Sequence, residues 1–195
     1  MGYVPGLSGD EAEHSRYCDL IVNGPPIGTL EGERVVWAKA DDRILLVTNS
    51  SPEGQRKLAH DASTCANREM HYDGGIYRYY DPPDEREIQM FLYVRASRVA
   101  GMCLVEKRTT VWRCTWNGDE TPVCVEQPLK AWMWSVGFVW VRKLCRNNGI
   151  ASTLFSEAKR VLNCGDDDIG WYTPFSKDGK ALVRHLYPTY FFVAK

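Results

Sequence analysis

The alternation of hydrophobic and polar positions predicts a series of β-strands from about residue 33 onward. Apolar runs at residues 35–38 and 44–47 flank Asp41-Asp42, which is typical of a β-hairpin. The turn at residues 96–98 joins the next two β-prone runs into a predicted antiparallel pair. The later predicted strands, in chain order, cover residues 88–94, 99–112, 132–141, 169–172 and 190–193.

Helical spacing predicts three helices between these strands. The tripeptide SPE at residues 51–53 is an N-cap followed by a first-turn proline and an acidic residue, and apolar side chains then recur every three or four positions. The strongest amphipathic pattern covers residues 150–162 and ends at 163–165. A third helix is predicted over residues 176–187, stopped by Pro188. Strands interleaved with helices predict a single mixed α/β domain.

Two segments lack a regular pattern. Residues 1–30 are polar and turn-rich, with NGPP at 23–26, so residues 1–32 are predicted to form an N-terminal arm or degenerate extension ahead of a domain at 33–195. Residues 70–87, rich in Tyr, Gly, Pro and Asp, are predicted to be a long surface loop. Loops of that length in a compact domain are more often functional than accidental.

Composition narrows the classes of function. The 195 residues are 44% hydrophobic and 25% charged, which is typical of a soluble globular protein. The net charge of −1, from 24 basic and 25 acidic residues, argues against a dedicated polyanion binder, so no nucleic-acid binding is predicted.

The cysteines and histidines give no metal-binding pattern. The 7 cysteines are odd in number, none is paired at C-x-x-C spacing, and the 4 histidines are dispersed, so no metal site is predicted. Free thiols in a reducing compartment are the simplest interpretation. The chain shows neither a secretion signal pattern nor a long apolar run, and no membrane insertion is predicted.

The segment from Trp140 to Ala151 carries the most chemical information. An apolar strand ends, a short polar turn containing Gly149 follows, and a strong helix begins at once. This arrangement directs free backbone N–H groups and the positive end of the helix dipole at one point, which suits a pyrophosphate. Arg142, Lys143 and Arg146 would add positive charge there. The alternative is an ordinary strand–turn–helix junction in which Gly149 only relieves crowding.

The turn also resembles a known motif. RNNGIA at residues 146–151 resembles the R/Q-x-x-G-x-G/A acetyl-CoA loop of the GCN5-related N-acetyltransferases. More of the chain resembles one branch, the cohesion-establishment (Eco1/ESCO-type) acetyltransferases. Residues 138–141 are similar to the strand before their loop, and 99–106 to their V-V-G-C-L-I-A-E strand. Residues 37–47 and 178–180 are similar to their first hairpin and to a D-G-K motif.

The resemblance implies a fold and a cofactor. The expected fold has a mixed, mostly antiparallel central sheet flanked by helices, and the expected co-substrate is acetyl-CoA. The strand before the loop would bind the pantetheine arm, and the loop with the first helical turn would bind the pyrophosphate. The cofactor-binding residues implied are Val139, Trp140, Val141, Arg146, Asn147, Asn148, Gly149, Ile150, Ala151 and Ser152.

Acetyl transfer to an amine needs a base, and Glu106 is the predicted one, acting directly or through a water. Strand alternation places Glu106 on the face of Met102 and Leu104, whereas the alternative has it facing solvent. Tyr187 is predicted to protonate the leaving thiolate, as a tyrosine does in many of these enzymes. A core role for Tyr187 is at least as consistent with the pattern, and His185 is a second candidate.

The resemblance implies a protein-lysine acetyltransferase acting on a cohesin subunit in the nucleus, or otherwise a cytoplasmic enzyme. Three departures keep other substrates open. Residues 1–32 hold only His14 and Cys18 as ligands for the family's zinc finger, Gly137 replaces a serine, and WYTP at 171–174 replaces F-S-D-P. The alternatives are an acetyltransferase for a small amine or another protein, and an inactive domain that binds acetyl-CoA or a partner.

Overall fold

A computed structural model describes residues 8–71, 87–118 and 122–194. Within these residues the chain forms four helices and eight strands. The helices are α1 (Ser8–Asn23), α2 (Glu53–Met70), α3 (Ile150–Leu162) and α4 (Lys177–Leu186). The strands are β1 (Val35–Lys39), β2 (Asp42–Thr48), β3 (Ile88–Arg95), β4 (Arg98–Trp116), β5 (Pro122–Cys124), β6 (Leu129–Val141), β7 (Ile169–Tyr172) and β8 (Tyr190–Ala194).

The strands form one mostly antiparallel sheet in the order β1-β2-β3-β4-β6-β7-β8. Strand β5 pairs with the far end of β4, and β8 pairs with both β7 and β4, so the sheet folds back on itself at that end. Only β6–β7 and β7–β8 are parallel. The predicted mixed α/β domain with a mostly antiparallel sheet is confirmed.

The sheet splits between β6 and β7. These two strands pair only from Trp134 to Val136 and from Ile169 to Trp171. Strand β6 then continues to Val141 beside β4, while β7 ends one residue later at Tyr172. Helix α3 forms the connection between the two strands, as a parallel pair requires. The split opens a cleft in the middle of the sheet.

Two hydrophobic clusters hold the helices on opposite faces of the sheet. Helix α3 buries Ile150, Leu154 and Ala158 on the face that also carries Ile44 and Phe91. A fully buried Ile, Leu or Phe side chain stabilises the fold by about 1.5–3 kcal/mol relative to an exposed one. The opposite face packs against α2, where the predicted apolar positions Leu58, Ala62 and Cys65 are all buried.

The N-terminal segment contains a helix whose C-terminal end packs on the domain, while its residues 11–18 are exposed. Helix α1 lies beside α2, and Leu20 and Ile21 pack on the α2 cluster. The Arg98 guanidinium donates hydrogen bonds to the Asp19 carboxylate and to the Gly24 carbonyl, both at 2.9 Å. This helix has no amphipathic pattern along its length, because its few apolar residues are clustered near its C-terminal end. The predicted surface loop at 70–87 lies outside the described residues from 72 to 86.

The expectation of seven free thiols is wrong for two of them. Cys114 and Cys124 are directly opposite on β4 and β5 and form a disulfide. Strand β5 lies between the predicted strands at 99–112 and 132–141, where the sequence predicted no strand, so the pattern did not show that the two cysteines face each other. Cys65 and Cys103 are buried free thiols, and burial raises the pKa of each to about 12.

Candidate active site

The cleft between β6 and β7 has two sides, lined by different kinds of groups. The loop side includes residues 139–141 of β6, residues 145–147 and 149–152 of the turn and first helical turn, and Asp178 and His185 of α4. The predicted residue Asn148 is exposed and is not among the lining residues; its side-chain amide donates to the carbonyls of Cys145 and Arg146. The carboxylate side consists of Glu106 and Arg108 of β4, Gly137 of β6, and residues 171–175 at the end of β7. Met70 and Leu182 border both sides, so the two sides form one continuous cleft.

The edge of β6 directs backbone amides into the loop side. The Arg142 amide donates to the Ala100 carbonyl at 2.9 Å, toward β4. Because successive N–H groups of a strand point to opposite edges, the amides of Val139 and Val141 point away from β4. Beyond Val136 that edge has no partner strand among the described residues. It is therefore an open row of donors along the cleft.

The turn before α3 presents further amides to the same side. The first backbone bond of α3 runs from the Thr153 amide to the Gly149 carbonyl at 2.9 Å, so the amides of Ile150, Ala151 and Ser152 have no partner within the helix. Gly149 has φ of +74°, which favours glycine, and a Cβ there would meet nothing within 4 Å. Crowding therefore does not explain Gly149, whereas its left-handed backbone conformation does.

Arg146 holds this turn in place. Its Nε donates to the Val141 carbonyl at 3.0 Å, its Nη2 lies 2.5 Å from Glu69 Oε1, and its Nη1 lies 3.4 Å from Asp178 Oδ2. Glu69 also accepts a hydrogen bond from Trp140 Nε1 at 2.9 Å. The guanidinium thus joins the loop to β6, α2 and α4, and its charge is balanced by two carboxylates.

The predicted cationic rim is therefore only partly correct. Arg142 is not among the residues that line the cleft, and its guanidinium donates to the Asn23 carbonyl and to Cys145 Sγ. Lys143 is exposed and is not among the residues that line the cleft, which leaves Arg146 as the member of the predicted trio that lines it. Backbone amides and the helix dipole carry most of the attraction for an anion on this side.

Glu106 lies on the carboxylate side and is nearly buried, in an ion pair with the partly exposed Arg108. Glu106 is 6% exposed and lies on the same face of the sheet as Met102 and Leu104, as strand alternation predicted. The alternative, in which Glu106 faces solvent, is therefore wrong. Its Oε1 accepts a hydrogen bond from Arg108 Nη2 at 2.9 Å. The Arg108 guanidinium in turn lies 4.9 Å from the centre of the Tyr172 ring.

Gly137 forms a β-bulge at the point where the sheet splits. Leu104 pairs with Phe138 and Val105 pairs with Val136, so Gly137 is the extra residue on β6. A Cβ at this position would lie 2.9 Å from Leu104 Cδ2 and 3.2 Å from the Tyr172 ring. The space that a serine would need is therefore occupied by these two side chains.

The structure separates the two candidates for the leaving-group acid. Tyr187 is 7% exposed and packs edge-on against Phe155 and Trp171, and its hydroxyl has no hydrogen-bond partner in the described residues. Burial raises the pKa of that hydroxyl above its ordinary value. His185 is exposed and lines the loop side. The structure brings Glu106 and the loop to one cleft and leaves Tyr187 in the adjoining core.

Across the described ranges, no cluster of three or more His, Cys, Asp or Glu side chains is arranged to hold a metal ion. The described helices include none that combines the length and the apolar character needed to cross a membrane.

Comparisons with known proteins place this cleft in context. No family model matches the sequence. The N-acetyltransferase ECO1 of Candida glabrata is 22% identical over 95% of this chain and 80% of its own length. The N-acetyltransferase ECO1 of Kluyveromyces lactis is 21% identical over 74% of this chain and 55% of its own length.

Solved structures agree with these relatives. The xEco2 acetyltransferase domain bound to a K105-CoA conjugate has a TM-score of 0.71 at 19% identity, covering 85% of this chain and 98% of that domain. A second structure of the xEco2 acetyltransferase domain has a TM-score of 0.68 at 18% identity, covering 86% and 98%. The predicted resemblance to Eco1/ESCO-type N-acetyltransferases is confirmed by these relatives and structures.

Three residues of this cleft were missed by sequence reasoning. Arg108 had a local signal, because a residue two positions after Glu106 on a strand shares its face. Tyr172 and Glu69 had none, because the end of β7 and the last turns of α2 reach the cleft only through the tertiary fold. All three are polar groups that surround or support the cleft.

Proposed function

We propose that residues 33–195 form an acetyl-CoA-dependent N-acetyltransferase domain that transfers acetyl to the ε-amine of a lysine in a protein. The observation that carries the proposal is the placement of Glu106 and the open-amide turn on the two sides of one cleft. An anion-binding turn alone would support only a binding protein. A nearly buried carboxylate facing the same cleft supplies the group that amine chemistry requires.

The loop side is the proposed acetyl-CoA site. The pyrophosphate would accept hydrogen bonds from the amides of residues 150–152, with Gly149 allowing its close approach. The pantetheine arm would lie along the open edge of β6, where the amides of Val139 and Val141 are available. One of these amides would also polarise the thioester carbonyl. The likeness of the fold to a domain bound to a CoA conjugate supports this assignment.

The reaction is a direct transfer between the two sides. The neutral amine nitrogen attacks the thioester carbonyl carbon, a C–N bond forms, and the C–S bond breaks. The proton lost by the amine goes to Glu106, directly or through a water, and the departing sulfur takes up a proton. A lysine amine has a pKa of about 10.4 when unperturbed, so a base is needed at neutral pH.

The departing thiolate needs less help than the amine. A free thiol has a pKa of about 8.5, so the thiolate leaves readily at neutral pH. Of the two candidate acids, His185 lies in the loop side and Tyr187 lies in the core. We assign any proton delivery to the sulfur to His185, and the predicted role of Tyr187 remains a prediction.

The acceptor that we propose is a lysine on a cohesin subunit, which implies a nuclear location and a cell-cycle role. The support is the similarity to ECO1 proteins over most of the chain, and a relative whose structure contains a K105-CoA conjugate. A second candidate function is acetylation of a small amine or of another protein. It is favoured by Gly137, because the side chains of Leu104 and Tyr172 fill the space where the family has a serine.

Labelling with radioactive acetyl-CoA tests the proposal. The purified chain is incubated with nuclear lysate, with lysine peptides and with small amines, and labelled products are separated by size. We expect a labelled protein band whose modified residue is a lysine. Labelled small amines without labelled protein would support the second candidate function instead.

A binding measurement in the same preparation separates the enzyme from an inactive binder. Acetyl-CoA is expected to raise the melting temperature, because a ligand that binds only the folded state stabilises it. Binding without any transfer would overturn the enzymatic proposal and leave a binding domain. Absence of both binding and transfer would overturn the acetyl-CoA assignment altogether.

A further inference from the structure

We propose that Arg108 is a positioning residue for acetyl transfer, which acts by holding the carboxylate of Glu106 in a fixed orientation at the cleft. The inference rests on the proposed function and deepens it by naming a residue of the carboxylate side. Arg108 lies two positions after Glu106 on β4, so both side chains extend to the same face of the sheet.

The ion pair is needed because of where Glu106 lies. The side chain of Glu106 is 7% exposed, and an unpaired carboxylate in such a place is unfavourable. Arg108 Nη2 donates to Oε1 at 2.9 Å, which compensates the charge and fixes one of the two oxygens. A base whose direction is fixed before the substrate arrives loses no rate to reorientation.

Tyr172 holds Arg108 in turn. The guanidinium carbon lies 4.9 Å from the centre of the Tyr172 ring, which is within the range of a cation–π contact. Tyr172 is the last residue of β7, on the far side of the split in the sheet. Arg108 therefore contacts both the Glu106 carboxylate on β4 and the Tyr172 ring on β7. This contact favours one orientation of the guanidinium.

On the carboxylate side, the negative charge of Glu106 is balanced by the positive charge of Arg108. Among the described residues that line the carboxylate side, Glu106 and Arg108 are the charged ones and Tyr172 is the remaining titratable one. A lone carboxylate would bind an acceptor in its ammonium form. The paired arrangement reduces that preference and favours the neutral amine that attacks the thioester.

A kinetic double-mutant cycle tests the inference. Arg108→Gln is expected to lower kcat by about 10²-fold, because the Glu106 carboxylate is then no longer held in position. The KM for acetyl-CoA is expected to stay within about 2-fold of wild type, because the loop side is unchanged. In a Glu106→Gln background the same change is expected to lower kcat by less than about 2-fold further. Losses that multiply in the double variant would overturn the inference.

Arg108→Lys and Arg43→Gln complete the design. Lysine keeps the charge, so Arg108→Lys is expected to recover part of the kcat lost in Arg108→Gln. Arg43 is a matched control on β2, since its Nη2 lies 3.3 Å from Glu33 Oε1 and its side chain is 31% exposed, against 30% for Arg108. Arg43→Gln is expected to leave kcat unchanged. An equal loss in Arg43→Gln would show a general effect of stability and overturn the inference.

Melting temperatures of the same variants test the ion pair between Glu106 and Arg108 without a measurement of acetyl transfer. Arg108→Gln is expected to lower the melting temperature by several degrees, and Glu106→Gln combined with Arg108→Gln is expected to recover most of it, because the double variant has no uncompensated charge. No recovery would overturn the ion-pair account even if the chain transfers acetyl. A chain that shows this recovery but no transfer would instead contradict the proposed function.

Discussion

The loop side and the carboxylate side of the cleft are built in opposite ways. The loop side comes mainly from one continuous segment, residues 139–152, and presents backbone amides. The carboxylate side comes from three strands distant in sequence and presents the side chains of Glu106, Arg108 and Tyr172. Backbone donors in a local turn tolerate changes of side chain, whereas a side-chain cluster depends on each member. We therefore expect that substitutions on the loop side change the binding of coenzyme A only where they disturb the backbone of the turn or its supports. Substitutions on the carboxylate side are expected to change turnover.

The two sides also differ in how they use arginine. Arg146 on the loop side is held by Glu69 and Asp178 and by the Val141 carbonyl, so it supports the turn. Arg108 on the carboxylate side is paired with the single carboxylate that the proposed chemistry needs. Arg146 thus supports the turn on the loop side, whereas Arg108 pairs with the proposed base on the carboxylate side.

Replacing Glu106 with Gln gives the largest expected effect. The amide cannot accept the amine proton, so turnover should fall by about 10²–10⁴-fold. Steady-state kinetics with a lysine acceptor measures this. Glu157→Gln is the matched control, because Glu157 is also partly buried and paired with an arginine but lies on α3 outside the cleft lining. Near-normal turnover of Glu106→Gln would remove Glu106 as the base.

Replacing Arg146 with Ala should weaken binding of coenzyme A by about 10-fold, which is the cost of about one hydrogen-bonded contact to a charged group. The turn loses its tie to Val141, and Glu69 loses its cation. Equilibrium titration measures the dissociation constant. Arg160→Ala, on the exposed surface of α3, is the control and should bind normally. An unchanged dissociation constant for Arg146→Ala would contradict the claim that Arg146 supports the turn.

Replacing Gly137 with Ser restores the family's residue but should not raise turnover. The new Cβ would meet Leu104 at 2.9 Å, so the expected result is a loss of about 1–3 kcal/mol in the free energy of unfolding. Denaturant titration measures it. Gly28→Ser is the control, since a Cβ there meets nothing within 4 Å. A rise in turnover without loss of stability would show that the carboxylate side has room that the structure does not indicate.

Replacing Tyr187 with Phe should have the smallest effect. The hydroxyl is buried without a partner in the described part of the chain, so removing it should leave the melting temperature equal or slightly higher. Turnover should stay within about 2-fold of wild type. A loss of 10-fold or more with normal stability would support Tyr187 as the leaving-group acid and contradict the assignment to His185.

The same contrast explains what the sequence could predict. The hairpin, helices α2 to α4 and the turn at Gly149 follow from local spacing and were predicted correctly. Helix α1, the Cys114–Cys124 disulfide and the positions of Arg142 and Tyr187 depend on contacts between distant segments. Strand alternation, a local rule, correctly predicted which face of the sheet carries Glu106, and the family resemblance suggested its role, whereas the contact of Arg108 with Tyr172 across the split required the fold.

Calorimetric titration of coenzyme A into wild type, Gly149→Val and Glu106→Gln tests the central claim most directly. A β-branched residue is strained at φ of +74° and would intrude on the ligand, so Gly149→Val should weaken binding by at least about 10-fold. Glu106→Gln should bind as tightly as wild type. Weakened binding in Glu106→Gln together with unchanged binding in Gly149→Val would contradict the division of the cleft into a binding side and a reacting side.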